Sequence, residues 1–270
     1  KLEFKQTKIH LSITKLNLVV KLQDPKILIR SDEINLSKLD LFLPLRSFIT
    51  SDFLLKKTEI AFKENDIKDL TKVTNVFLPK LINNKLKKIF EKGKLNGEFI
   101  IPFRSDGSIS NQYGFSGKVS NATIKLTEEF SIKNLTTEIN HFKNDDSDEF
   151  KIKIVKGSIY DLGLSESIIN LKRKNNETQV SSFLKTNGTF NFDQIKILSS
   201  LFNLNINSFQ DINGKANLNT NINFNLSNRL KIKNLSYSIE GNIINFEAQT
   251  NEKKIIKKYL PEYDTKIIIK

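Results

Sequence analysis

The chain has 270 residues and is basic, with 43 Lys and Arg against 30 Asp and Glu, and it contains no Cys, Met or Trp. Without Cys it forms neither disulfides nor thiolate metal sites, and no stretch approaches the roughly 20 apolar residues that span a bilayer as a helix. Its 38% apolar content, with 20 Phe, supplies a sizeable core and excludes a disordered chain. The sequence opens at Lys1 rather than Met, so we read it as an internal piece of a larger protein, long enough for one large domain or two smaller ones. The cations are mostly Lys, which gives point charges without the planar fork that reads phosphate bidentately. Lys, Asn and Ile are what AT-rich codons encode, so part of the +13 net charge reflects codon usage rather than a partner.

In chain order, the dominant signal is alternation of apolar and polar residues, the mark of strands with one buried face. Residues 8–22 carry Ile9, Leu11 and Ile13 on one face, then shift register to Leu16, Leu18, Val20 and Leu22. A turn at Asp24-Pro25 follows, then Ile27 and Ile29, then a strand over 34–42 with Leu36, Leu39 and Leu41. Leu43 to Thr50 reads as a short helical turn, and 53–62 alternates through Phe53, Leu55, Ile60 and Phe62. The period then changes to three and four. Asn65 is placed to cap a helix carrying Ile67, Leu70, Val73 and Phe77. Pro79 opens a second helix with Leu81, Ile82, Leu86, Ile89 and Phe90, and Gly93 stands where its C-terminal cap would fall.

Strands return with Leu95, Phe99, Ile101 and Phe103, turn at Ser105-Asp106-Gly107, and continue through Phe115, Val119, Ile124, Leu126, Ile132, Leu135 and Ile139. The polar run Asn144–Glu149 reads as a loop tip. Ile152, Ile154, Ile159, Ile168 and Leu171 mark further strands, ahead of a turn at 174–177. Asp193 is placed to cap a third helix with Ile195, Leu198, Leu201 and Phe202. Strands close the chain over 215–250, and Lys253–Leu260 reads as a helical piece. A weak repeat pairs Gly93-Lys94 and Gly117 with Gly214-Lys215 and Gly241, each a helix followed by a long hairpin. The expected architecture is mainly β: an elongated, curled antiparallel sheet with about three short amphipathic helices. It divides into an N-terminal region 1–92, a first hairpin unit 93–203 and a second, similar unit 204–270.

Chemistry-bearing motifs are sparse. The two histidines, His10 and His141, are far apart in sequence, and neither a P-loop, a dinucleotide-binding glycine fingerprint nor a nucleophile elbow occurs. The acidic run 144–149 lacks the ligand spacing and central Gly of a calcium loop. We expect no enzyme activity, cofactor or metal. Lys85, Lys87, Lys88, Lys253 and Lys254 flank apolar helical stripes and are candidates for contact with an anionic membrane surface, or simply a polar face. The Phe residues sit at alternating apolar positions, where packing rather than nucleic-acid stacking accounts for them. The apolar faces themselves fit either a dry sandwich or a trough that holds acyl chains.

Residues 13–67 resemble the N-terminal region of the AsmA-like family, the TamB- and YhdP-type proteins. The matching parts are the strand Leu16–Leu22, Pro25, the strand Leu36–Leu41, the apolar turn Leu43–Ile49 and the strand Phe53–Phe62. Gly93-Lys94-Leu95-Asn96-Gly97 and Phe115-Ser116-Gly117-Lys118-Val119 resemble the middle of the same family. The resemblance implies an elongated β-groove in the periplasm, anchored in the inner membrane through a part of the parent outside this window. It also implies phospholipid movement between inner and outer membranes, with no catalytic residues. The groove candidates are Leu18, Val20, Leu39, Leu41, Phe53, Leu55, Phe99, Ile101 and Phe103. The alternative is a packed β-sandwich scaffold of the envelope, with no lipid path.

Overall fold

The computed structural model describes residues 1–29, 32–46, 54–73, 88–125, 127–174, 177–201, 206, 208–227, 231–250, 257–259, 261–262 and 266–269. The alternating pattern forms strands β1 (Leu2–Glu3), β2 (Gln6–Ser12), β3 (Asn17–Gln23), β4 (Lys26–Ile29), β5 (Asp32–Pro44) and β6 (Lys57–Asp66). After helix α1 (Ile67–Val73) come β7 (Phe90–Pro102), β8 (Tyr113–Lys125), β9 (Ser131–Lys143), β10 (Asp148–Ile159), β11 (Leu162–Lys174) and β12 (Glu177–Phe190). Helix α2 (Phe192–Leu201) precedes β13 (Phe209–Ser227), β14 (Ile232–Thr250) and β15 (Lys266–Ile269). All join one long antiparallel sheet that does not close into a barrel. From β5 onward each strand pairs with the next in sequence. The long β5 pairs at one end with the β1–β4 edge and at the other with the β2–β3 hairpin.

Several local expectations give way to tertiary packing. The register shift inside 8–22 is a chain reversal: β2 and β3 form a hairpin around a turn at 13–16, with Leu16 at φ 48°. Ile9 and Leu11 are consequently exposed on an edge strand and Ile13 in the turn. Pairing of β5 with β3 extends β5 to Pro44, so the expected helical turn at 43–50 begins as strand, and 47–50 lie outside the described residues. The sixth strand starts at Lys57, later than the expected start at Phe53.

Asn65 does not cap a helix. It lies buried in β6, where its Oδ1 accepts the Asn35 N–H at 2.9 Å and its Nδ2 donates to the carbonyls of Asn35 (2.9 Å) and Lys63 (2.6 Å). These bonds replace ladder contacts where the β5–β6 and β6–β7 registers slip, so the side chain is worth more there than at a helix end. The cap falls one residue later, on Asp66, which accepts the Lys68 N–H. Similarly Asn191 caps α2, accepting the Gln194 N–H at 3.0 Å while Gln194 Oε1 accepts the Asn191 N–H at 3.3 Å. That reciprocal pair is a capping box, and it displaces Asp193 into the first turn. The second expected helix falls largely on 74–87, outside the described residues.

Gly93 is not a helix cap either. It sits in β7 at φ 145°, against Ala122 and Ile67, where a Cβ would lie 2.8 Å from the Ala122 Cβ. Gly97 and Gly117 are cross-strand partners, and the Phe115 ring folds over both, its Cζ 2.5 Å from where a Gly117 Cβ would stand. The ring covers backbone that the glycines leave bare.

Apolar burial concentrates in two clusters. One joins Leu22, Ile34, Leu36 and Leu39 of β3 and β5. The other joins Ile67 of α1 to Val119, Ala122, Leu135, Ile154 and Leu164 of β8 to β11. Helix α1 thus closes one end of the strands, while the rest of that face has no second sheet over it among the described residues.

A candidate trough and its mouth

Directly opposed residues in antiparallel strands share a face, so the register lists what lies side by side. Leu22 opposes Leu39, Leu39 opposes Ile60, Ile60 opposes Phe99 and Phe99 opposes Phe115. The row goes on through His141, Phe150, Leu171, Val180 and Phe224. A parallel row passes Gly117, Ile139, Ile152, Ile169, Ser182 and Ile222. At about 4.8 Å per strand, the first row runs roughly 43 Å across the sheet. Most of its members between β6 and β13 are half-buried, and Phe150 is 38% exposed.

The apolar face continues to both edges. Ile9 and Leu11 lie beside Val20 and Leu18 at one end, and Tyr237 and Ile239 lie beside Ile222 and Thr220 at the other. All four are more than half exposed. The opposite face is mainly polar, with Lys38, Glu59, Lys57 and Glu98 forming an ion-pair network. Burial works against ionisation of Glu59, but Lys38 and Lys57 outweigh it and hold that carboxyl below its ordinary range. Burial dominates at Asp40, 8% exposed in its side chain, and pushes its pKa up.

The structure brings seven of the nine groove candidates to one end of this face, and Leu55 stands just before β6, where the strands end. Val20 opposes Leu41, Leu41 opposes Thr58 and Thr58 opposes Ile101, one row above Leu39 and Phe99. Leu18 pairs with Leu43, and Phe103 bridges Ile109 while its N–H donates to the Lys56 carbonyl. Phe53 lies outside the described residues, as do Lys85, Lys87, Lys253 and Lys254; Lys88 is exposed. Sequence reasoning missed the larger part of the row, Phe115 to Phe224, although the same alternation marks it.

Where β3, β5, β6 and β7 end, a cavity of about 730 Å³ opens. Its apolar lining includes Leu16, Leu45, Leu54, Leu55 and Phe103, and its cations are Lys15, Arg46, Lys56 and Arg104. Among the described residues no carboxylate lines it.

His141 lies within the apolar row, its Nε2 2.7 Å from Asp148 Oδ1, and His10 is exposed on β2. Among the described residues no cluster of three or more His, Asp or Glu is placed to hold a metal ion, and no helix is long and apolar enough to cross a membrane. No protein-family model, curated protein or solved structure matches the chain.

Proposed function

We propose that this chain is a non-catalytic segment of an AsmA-like envelope protein, and that its apolar face carries the acyl chains of phospholipid through the periplasm between the two membranes. One observation carries the reading: an apolar row continues from β3 to β13 with no second sheet over it among the described residues. Soluble monomers rarely leave contiguous apolar patches of more than a few hundred Å² uncovered. Acyl chains covering such a face gain about 25 cal/mol per Å², as a second sheet would. The half-burial of Phe99, Phe115, Ile139 and Ile152 fits a trough better than a packed sandwich, whose inner face would be dry throughout.

A photo-crosslinking residue at Ile139 or Ile101, followed by extraction from cells, tests the reading. Phospholipid adducts at both positions are expected. Ile101→Asp, with open water near the side chain, should block transport by the parent protein at little cost in stability. Intramolecular adducts alone, together with unfolding of Ile101→Asp, would mean an unpaired carboxylate in a dry core and would favour the scaffold.

A further inference from the structure

The strand-end cavity carries chemistry that an acyl-chain trough by itself does not need. Its apolar lining adjoins the trough: Leu16 stands just before β3, Leu45 just after β5 and Phe103 just after β7, beyond the strand ends that carry Leu18, Leu43 and Ile101, and the Leu45 N–H donates to the Leu16 carbonyl. Around that lining stand Lys15, Lys56 and Arg104, all exposed, with Arg46 beside them. The acid on the 103–109 turn, Asp106, turns its Oδ1 to the backbone and hydroxyl of Ser108, and these bonds, with a smaller contribution from the Arg104 charge, hold its carboxyl below the ordinary range. Some lysines elsewhere pair with acids, as in Lys38–Glu59 and Lys172–Glu149. Apolar surface that leads into a site where Lys15, Lys56 and Arg104 gather and no carboxylate is among the described lining residues complements a molecule with a tail at one end and negative charge at the other.

We propose that this cavity seats the anionic headgroup of a lipid whose acyl chain lies along the trough. The inference rests on the trough reading and adds headgroup charge selection to it. Lys56 and Arg104 hold the phosphate from the β6 and β7 side, and Lys15 from the β2–β3 turn. Arg is suited to bidentate phosphate contact and Lys to a point-charge contact. A zwitterionic lipid has the phosphate but also carries a choline cation into the same cluster, so it is disfavoured.

The test uses the full chain with fluorescent-tailed phosphatidylglycerol and its phosphatidylcholine counterpart, each presented in phosphatidylcholine vesicles. Wild type should capture the glycerol lipid about ten-fold better, as expected for one or two cations near an anionic head. The variant Lys15→Gln, Lys56→Gln, Arg104→Gln changes only exposed side chains. It should lose that preference and take up the two probes alike, with its unfolding midpoint unchanged. Equal capture of both probes by wild type overturns headgroup selection and leaves the trough intact. Capture of neither overturns both. Competition by tail-less glycerol phosphate at the lipid's own concentration would make the cavity a free-anion site and overturn the lipid assignment.

Discussion

The imidazole of His141 lies flat on the ring of Phe150, with centroids 3.8 Å apart and planes 6° from parallel, across the β9–β10 ladder. Tyr113 meets the same imidazole edge-on at 5.5 Å, and Asp148 holds its Nε2. A histidine in an apolar row is here an aromatic packing element with one polar edge turned to the row's rim.

That role predicts the behaviour of two substitutions. His141→Phe keeps the stack and gives up one hydrogen bond, which costs about 1 kcal/mol in urea unfolding. His141→Ala loses the stack as well and costs about 1–3 kcal/mol. Lipid capture should remain within a few-fold of wild type in both, because packing and not proton transfer is the residue's work. A hundred-fold loss in His141→Phe with the fold intact would contradict this.

The bulges make a second prediction. Asn121, Asn134, Glu166, Asn234 and Asn245 all have φ between 47° and 52° inside strands. All five stand at or beside register shifts. Asn tolerates the left-handed region and β-branched residues do not. Asn121 is exposed, so its substitutions report backbone strain rather than packing. Asn121→Gly should be neutral or stabilising, while Asn121→Val should lower stability by about 1–2 kcal/mol. Equal midpoints for the two variants would argue against a strained bulge.

Asp40 makes a third, which depends on pH. Burial raises its folded-state pKa above the ordinary 3.8, so the ionised carboxylate disfavours folding. The penalty is fully present above the folded pKa and vanishes below the unfolded one. Asp40→Asn should therefore raise the melting temperature at neutral pH, and the gain should shrink as the pH falls toward the ordinary value. Glu59 acts in the opposite sense, since its depressed pKa contributes stability above the ordinary range that is lost on acidification. A gain from Asp40→Asn that grows on acidification would contradict the assigned direction.

Much of the fold was legible because each strand from β5 onward pairs with its sequence neighbour, so alternation along the chain already describes one face. The lapses have a common cause. Alternation is blind to chain reversal, and the β2–β3 hairpin therefore looked like a slipped strand. Polar residues such as Asn65 and Asn191 satisfy backbone groups wherever these are left bare, and which ones those are depends on register. The same blindness applies at the bulge before Ser167. Its fully buried hydroxyl accepts the Lys185 N–H and donates to the Ser165 carbonyl, a link that no pattern in 162–174 announces. The cationic mouth was hidden for another reason: Lys15, Lys56 and Arg104 are far apart in sequence and meet only where four strands end.

Sequential pairing also shapes how the molecule comes apart. Each hairpin touches little beyond the strands on either side of it, so free energy is distributed along the sheet as a sum of local and nearest-neighbour terms. Such an array frays from its ends, and an internal defect stays near the hairpin that carries it. Over much of β14, only β13 supplies ladder bonds among the described residues, whereas β9 is held from both sides along most of its length. Amide exchange should therefore form a gradient, fast in β14, slower toward the centre and slowest around Leu135 and Ile154, with no single opening that releases every strand at once.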